Sequence, residues 1–412
     1  TLLYNGYKVD RVMNITDVGH LSSDSDSGDD KMVKGAIREH KTVLEIADYY
    51  TKAFKDDVNK LNLKWPETVV KATSCIDEYI KITQTLLDKG FAYISNGNVY
   101  FDTEKDKTYY ELSGRCKEDL IVASRDEVEE DDNKKNPADF VLWFTNSKFG
   151  NQELQWDSPF GRGFPGWHIE CSGIAIKYLG EHLDIHFGAE DAVFPHHTNE
   201  IAQSEAYLGH KWCNYWVHLS WLLTNNVKMS KSKGDTLTVS KLKEMGYNPL
   251  AYRYLILNSY YHKQVNFTFD GLDQAQNAYL KLINKVSNIK EEGLFSDDDF
   301  NKYDGKFKEF LSNDLNTSNA LTLLYDLIKD TNVSSNTKLK LIKSWDSVLS
   351  LDLIKEKNID EELLNKINEL IEKRNIAKEN RDYALADQIR EELKNMNVVI
   401  KDTKEGTTFE IL

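Results

Sequence analysis

A chain of 412 residues, 29% of them charged and 40% hydrophobic, has the length for two to four domains and the composition of a folded, soluble protein. No apolar run is long enough to span a bilayer and no secretory segment opens the chain, so no membrane association and a cytoplasmic location are expected. A net charge of −15 argues against indiscriminate nucleic-acid binding, which needs a basic surface, but leaves a local basic patch open.

The four cysteines, Cys75, Cys116, Cys171 and Cys213, follow no framework spacing. A reducing compartment is expected, with any important cysteine acting as a thiolate.

The chain opens at Thr1 inside TLLYNGYKVDRVMNITD, which already reads as structure: a Tyr-Asn-Gly turn and then a strand over residues 9–15. A segment upstream is therefore expected. Residues 30–90 read as helical, through VLEIADYYTKAF and CIDEYIKITQTLLDKG, with Gly90 as the capping glycine. The texture then changes to short strands, FAYIS and NVYFD around the turn NGN, followed by the acidic loop DEVEEDDNKKN and by DFVLWF. This predicts an inserted small domain.

From Gly166 helices and strands alternate: IECSGIAIKYLG, the buried strand LDIHFG, HTNEIAQSEAYLG and NYWVHLSWLL. Such alternation implies an α/β fold with a doubly wound parallel sheet, whose ligands sit beyond the carboxyl ends of the strands. His186, Glu190 and Asp191 fall on that rim. After about residue 270 the pattern is helical, and a last compact unit of helices and two strands begins near residue 360.

Two constellations carry chemistry. In FPHHTNEIAQSEA, Pro195 suits a helix start, and His196 and Glu200 stand i,i+4 on one face. Cys171, on the helix opening GWHIECSG, starts on the same rim. Thiolate, imidazole and carboxylate make a candidate zinc set that needs a fourth ligand; the alternative is a small buried cysteine beside an ordinary helix start. The second constellation is NNVKMSKSKGD, whose lysines make a cationic loop that can stabilise a triphosphate as pyrophosphate leaves, or else a solvated loop.

KMSKS, residues 228–232, resembles the signature loop of class I aminoacyl-tRNA synthetases. GWHIECS, DIH and FPHHTNEIAQSEA together resemble cysteinyl-tRNA synthetase, as do NITD, NPADFVLWF, WDSPFGRGFPGWHIEC and the tail RNIAKENRDYALADQIREEL. The resemblance covers essentially the whole chain. It implies ATP-dependent activation of cysteine, with Mg2+, and its transfer to tRNA(Cys) by a monomer. It also implies one Zn2+ on Cys171, His196 and Glu200 that accepts the substrate thiolate and so sorts cysteine from serine.

Trp167 and His186 would line the amino-acid pocket, Asp191 would hold the ammonium group and Thr16 would lie nearby, while Lys228 and Lys231 would contact ATP. Arg374 and Arg381 are candidate phosphate contacts and Phe409 a candidate base-stacking residue; an exposed amphipathic helix with an aromatic staple is the alternative. The implied division is a Rossmann-like catalytic domain in two parts, residues 1–90 and 157–225, around an inserted domain at 91–156. A KMSKS and stem-contact region (226–270), a helical bundle (271–358) and a small anticodon-binding-like domain (359–412) complete it.

Three departures accompany the resemblance. The family's HIGH motif and first zinc cysteine are absent and would lie upstream of Thr1. Residues 19–28 form an acidic insertion after NITDV, short of the ligands of a calcium loop. Phe187-Gly188-Ala189 replaces the glycine run after DIH, and Phe187 is expected to crowd a backbone approach. These leave two alternatives: a cysteine-activating ligase with a small amine acceptor, and a non-catalytic binding paralogue.

Overall fold

The computed structural model describes residues 1–18, 35, 41–115, 133–145, 154–224, 227–228, 237–354, 361–396, 398–403 and 406–411. Residues 19–28, Lys231 and most of the acidic loop at 126–136 lie outside these. The chain divides into two compact units, Thr1–Ile354 and Lys355–Leu412.

In the first unit, strand β1 (Val12–Ile15) is followed by helix α1 (Val43–Lys60), which opens with a reciprocal capping box between Thr42 and Glu45. Strand β2 (Thr68–Lys71) pairs parallel to β1, with Asn14 opposite Val70. This strand interrupts the stretch expected to be helical throughout residues 30–90. Helix α2 (Ile76–Asp88) buries Tyr79, Ile82 and Leu86.

An antiparallel sheet follows in the order β3 (Ala92–Ser95), β4 (Asn98–Phe101), β5 (Phe140–Phe144) and β6 (Phe164–Pro165). Asn96 and Gly97, with φ of 47° and 87°, make the tight β3–β4 turn that Asn-Gly favours. α2 and this sheet share one core with helix α3 (Trp167–Leu179), through Tyr79, Leu142, Trp143 and Ile169.

Strand β7 (Leu183–Ala189), helix α4 (Thr198–Leu208) and strand β8 (Cys213–Leu219) form a strand–helix–strand unit, β8 running parallel beside β7 with Gly188 opposite His218. The expectation of a fully buried LDIHFG is corrected: Leu183 is buried but Phe187 is 59% exposed. Leu183 and Phe187, four residues apart, share one face of the strand, and that face opens to solvent toward its carboxyl end. Strands β9 (Leu222–Thr224), β10 (Val227–Lys228) and β11 (Val265–Phe267) form a three-stranded sheet around helices α5 (Val239–Glu244) and α6 (Pro249–Leu257).

Helices α7 (Phe269–Ser287), α8 (Asp297–Ser312), α9 (Thr317–Lys329) and α10 (Ser335–Leu349) close a second core, in which Phe307 and Trp345 stack with ring centroids 4.8 Å apart. The second unit is helices α11 (Glu361–Glu379) and α12 (Tyr383–Asn395) with the antiparallel pair β12 (Val398–Thr403) and β13 (Gly406–Ile411). Its own core joins Ile367, Leu370, Leu393, Val398 and Ile400. Among the described residues no helix is long and apolar enough to cross a membrane.

Candidate metal centre and amino-acid pocket

The sequence brings three side chains to one point from three elements. α3 starts at Trp167 behind Gly166, whose Cβ would sit 2.0 Å from the Val141 carbonyl oxygen, so only glycine lets the helix start so close to β5. One turn in, Cys171 faces the helix that carries Glu200. α4 itself begins at Thr198, three residues later than Pro195 suggested, because Phe194 is extended (φ −141°) and residues 193–197 make a wider turn. The i,i+4 relation survives this correction: His196 Nε2 lies 3.1 Å from Glu200 Oε1 and 3.5 Å from Cys171 Sγ.

Glu200 is fully buried, and neither of its carboxylate oxygens accepts a hydrogen bond of good geometry. Three imidazoles surround it instead, with His186 Nε2 at 3.4 Å and His197 Nε2 at 3.9 Å besides His196. Burial opposes its charge, but the charges of His186 and His196 outweigh that and hold the carboxyl below the usual carboxylate range. The same carboxylate raises His186 against the effect of burial. Burial, with the charges of Glu200 and Glu170, pushes the Cys171 thiol well up.

A buried carboxylate facing a thiol and ring nitrogens is the donor set of a cation, and a bound cation reverses that rise by ionising the thiol. Metal-ligand atoms of Cys171, His196 and Glu200 all lie within 4.8 Å of one another. Ligands of one tetrahedral zinc, at about 2.0–2.3 Å from the ion, stand about 3.3–3.8 Å apart, close to the 3.1 and 3.5 Å that separate His196 Nε2 from Glu200 and Cys171. His186, His197 and Glu200 form a second such group that shares the carboxylate.

Two histidine pairs fix the rings, and neither was singled out from the sequence. His168 Nδ1 and His196 Nδ1 are 2.8 Å apart, leaving His196 Nε2 to face Cys171 and Glu200. Burial, then the His196 charge, pushes His168 well below its ordinary range, which favours a neutral ring. His197 Nδ1 lies 2.8 Å from His218 Nε2 on β8. The available signals were the histidine in GWHIEC, three residues from Cys171, and the second histidine of FPHH; only tertiary structure supplies their partners.

The remaining expected residues are placed as follows. The Trp167 ring lies 4.3 Å from the His196 ring, centroid to centroid, and His186 stands against Trp216 at 4.8 Å. Thr16 accepts from Asn14 at 3.3 Å, and the same amide reaches Cys171 Sγ at 3.6 Å. Asp191 is exposed on the short turn Glu190–Ala192 that follows β7. Phe187 does not crowd a backbone approach: it is open to solvent, and the close approach is at Gly188, where a Cβ would meet His197 Cε1 at 2.3 Å. The Lys228 backbone pairs with Leu223 in β10, and Lys231 lies outside the described residues.

In the second unit, Arg374 is buried and forks onto Asp402 with two bonds of 2.9 Å, an internal ion pair in place of the expected phosphate contact. Phe409 is half-buried against the unit's own core. Arg381 is exposed.

Comparisons with known proteins bear on this arrangement. A model of the class I (C) tRNA synthetase catalytic domain matches residues 1–277, a DALR domain model matches 306–354, and a cysteinyl-tRNA ligase anticodon binding domain model matches 360–409. The chain is 42% identical over 444 aligned residues to a cysteine–tRNA ligase of Treponema denticola, covering 100% of this chain and 89% of that protein. It is 41% identical over 430 to one of Borreliella burgdorferi, covering 99% and 88%. Among solved structures, Mycobacterium tuberculosis methionyl-tRNA synthetase in complex with methionyl-adenylate superposes with a TM-score of 0.52 at 12% identity, over 82% of each chain, which is a likeness of fold.

Proposed function

The chain belongs to the cysteinyl-tRNA synthetases of class I, and on that premise we propose that it activates cysteine with ATP and transfers it to tRNA(Cys), with zinc held by Cys171, His196 and Glu200. The observation that carries the zinc assignment is the buried Glu200 carboxylate, which makes no hydrogen bond of good geometry and faces a thiol and ring nitrogens at ligand spacing. Bound there, zinc would accept the substrate's thiolate, which a serine hydroxyl cannot match.

The chain's own residues do the rest. Trp167, His186 and Thr16 enclose the amino acid, and Asp191 on the rim holds its ammonium group. The carboxylate attacks the α-phosphate of ATP in line, positioned rather than chemically activated, and Lys228 and Lys231 steady the departing pyrophosphate. The terminal ribose hydroxyl of tRNA then takes the cysteinyl group. Support for tRNA as acceptor is the anticodon-binding match over residues 360–409, which a ligase with a small amine acceptor has no use for.

The test is cysteine charging of unfractionated tRNA by the full-length protein and by Glu200→Ala, with zinc measured in both. Charging by Glu200→Ala is expected to fall more than about 100-fold below wild type as bound zinc is lost, beyond the loss caused by disturbing a ligand's hydrogen-bond partner. Zinc-free protein that charges tRNA equally well, or activates serine as readily as cysteine, sinks the reading.

A further inference from the structure

Asn14 lies between two groups of residues that the proposed function uses. Its Nδ2 donates to Cys171 Sγ at 3.6 Å and to Thr16 Oγ1 at 3.3 Å. A carboxamide has two N–H protons, so one amide serves both acceptors at once. The strand holding it is fixed along one edge and just beyond its end. Asn14 sits opposite Val70 in the parallel β1–β2 pair. Just past the strand's end Asp17, fully buried, accepts from Thr73 N at 2.9 Å and Thr73 Oγ1 at 2.7 Å. The amide is thus presented to the sulfur by backbone pairing and a buried clamp, not by a free side chain.

We propose that Asn14 is a positioning residue that tunes the Cys171 sulfur as a metal ligand and orients the Thr16 hydroxyl for the amino acid, an inference that rests on the zinc reading of Cys171, His196 and Glu200. A metal-bound sulfur is a thiolate and only accepts hydrogen bonds, so the amide must turn its NH2 side toward it; the oxygen side would set two acceptors face to face. An N–H donor draws electron density from the sulfur. Its donation to the metal weakens, and the metal keeps more of its acceptor strength for a second, incoming thiolate. Thr16, accepting from Asn14, has its own hydroxyl proton left to give. One side chain thereby couples the hydrogen bonding of the amino-acid pocket to the electron density at the metal.

The test uses full-length protein stripped of metal and reloaded with Co2+, whose sulfur-to-cobalt charge-transfer band reports the donor strength of the thiolate. In Asn14→Ala the band moves to longer wavelength, because the sulfur loses its donor. Metal affinity falls about 10-fold or more, because without the N–H donor the half-buried Cys171 thiolate is costlier to form, even though its donation to the metal is stronger. The KM for cysteine in pyrophosphate exchange rises more than kcat falls. Asn14→Asp, which sets a carboxylate against the sulfur, loses still more affinity, and Asn14→Ser, a milder change, lies between wild type and Asn14→Ala.

Bands and affinities unchanged in Asn14→Ala and Asn14→Asp overturn the proposal. A wild-type protein that binds cobalt with no charge-transfer band overturns the zinc reading beneath it instead.

Discussion

Gly188 decides where His197 can stand. A methyl group there would lie 2.3 Å from His197 Cε1 and 2.6 Å from Nε2, inside any real contact, and the ring is already bound to His218 at 2.8 Å. The ring cannot give way without breaking that pair and moving off Glu200. Gly188→Ala is therefore expected to cost about 1–3 kcal/mol, as overpacking of a filled site does, and to lower zinc affinity with it. Denaturant unfolding and a competitive chelator titration measure the two effects. A variant as stable as wild type, with unchanged zinc affinity, would show that the histidine cluster relaxes freely. The same residue explains why one glycine of the expected run is indispensable here while Phe187 beside it is tolerated: their side chains leave opposite faces of β7.

At the scale of elements, one carboxylate of the second unit ties its strand to two neighbouring elements. Asp402 on β12 accepts from Arg374 and Lys378 on α11 and from Thr407 on β13, at 2.9, 2.8 and 2.8 Å. These bonds, Arg374 first, hold Asp402 well below the ordinary carboxylate range. A depressed carboxylate stabilises the fold above its unfolded value of 3.8 and ceases to do so as pH falls below it. With the Asp402 side chain 45% exposed, the pair ranks between exposed and buried ion pairs, so about 1–2 kcal/mol is at stake. Asp402→Asn should cut amide-exchange protection of β12 and β13 roughly 10-fold in the intact protein at neutral pH. Equal protection in the variant would assign the hairpin's stability to its apolar core alone.

Elements with strong local signals were legible. The Asn-Gly hairpin, the long amphipathic helices and the strand–helix alternation after Gly166 all appear as read. Strand β2 was not, because TVVK is four residues without alternation between helical stretches. It is a strand only because β1, more than fifty residues earlier, offers it a parallel partner. Pro195 misplaced the start of α4 for a related reason, since an extended Phe194 overrides the local preference. In the site, the i,i+4 spacing pointed to His196 and Glu200, the shared rim of the α/β fold added Cys171 and placed His186, and resemblance supplied Trp167 and the pocket role of His186. The histidine pairs and Asn14 depend on contacts across 21 to 157 residues, which no periodicity encodes.

For the whole molecule, the net charge of −15 poses the main physical question, since tRNA is itself a polyanion. An acidic body cannot hold it by its overall field, so binding has to come from separate local contacts whose effects multiply. The chain is built for such a division. Thr1–Ile354 closes its own cores, and Lys355–Leu412 closes another around Ile367, Leu393 and Val398. The residues proposed for adenylate formation all belong to the first unit. Protein ending at Ile354 is accordingly expected to keep cysteine-dependent pyrophosphate exchange within about twofold, a barrier change below ~0.5 kcal/mol. Its kcat/KM for tRNA charging should fall roughly 100-fold, the scale of losing one of two linked contacts. The salt dependence of charging should also flatten, because fewer phosphates are neutralised. Measuring both reactions on the same preparation separates the possibilities. Loss of exchange along with charging would mean that the second unit supports the catalytic fold itself, and unchanged charging would mean that tRNA is held by the first unit alone.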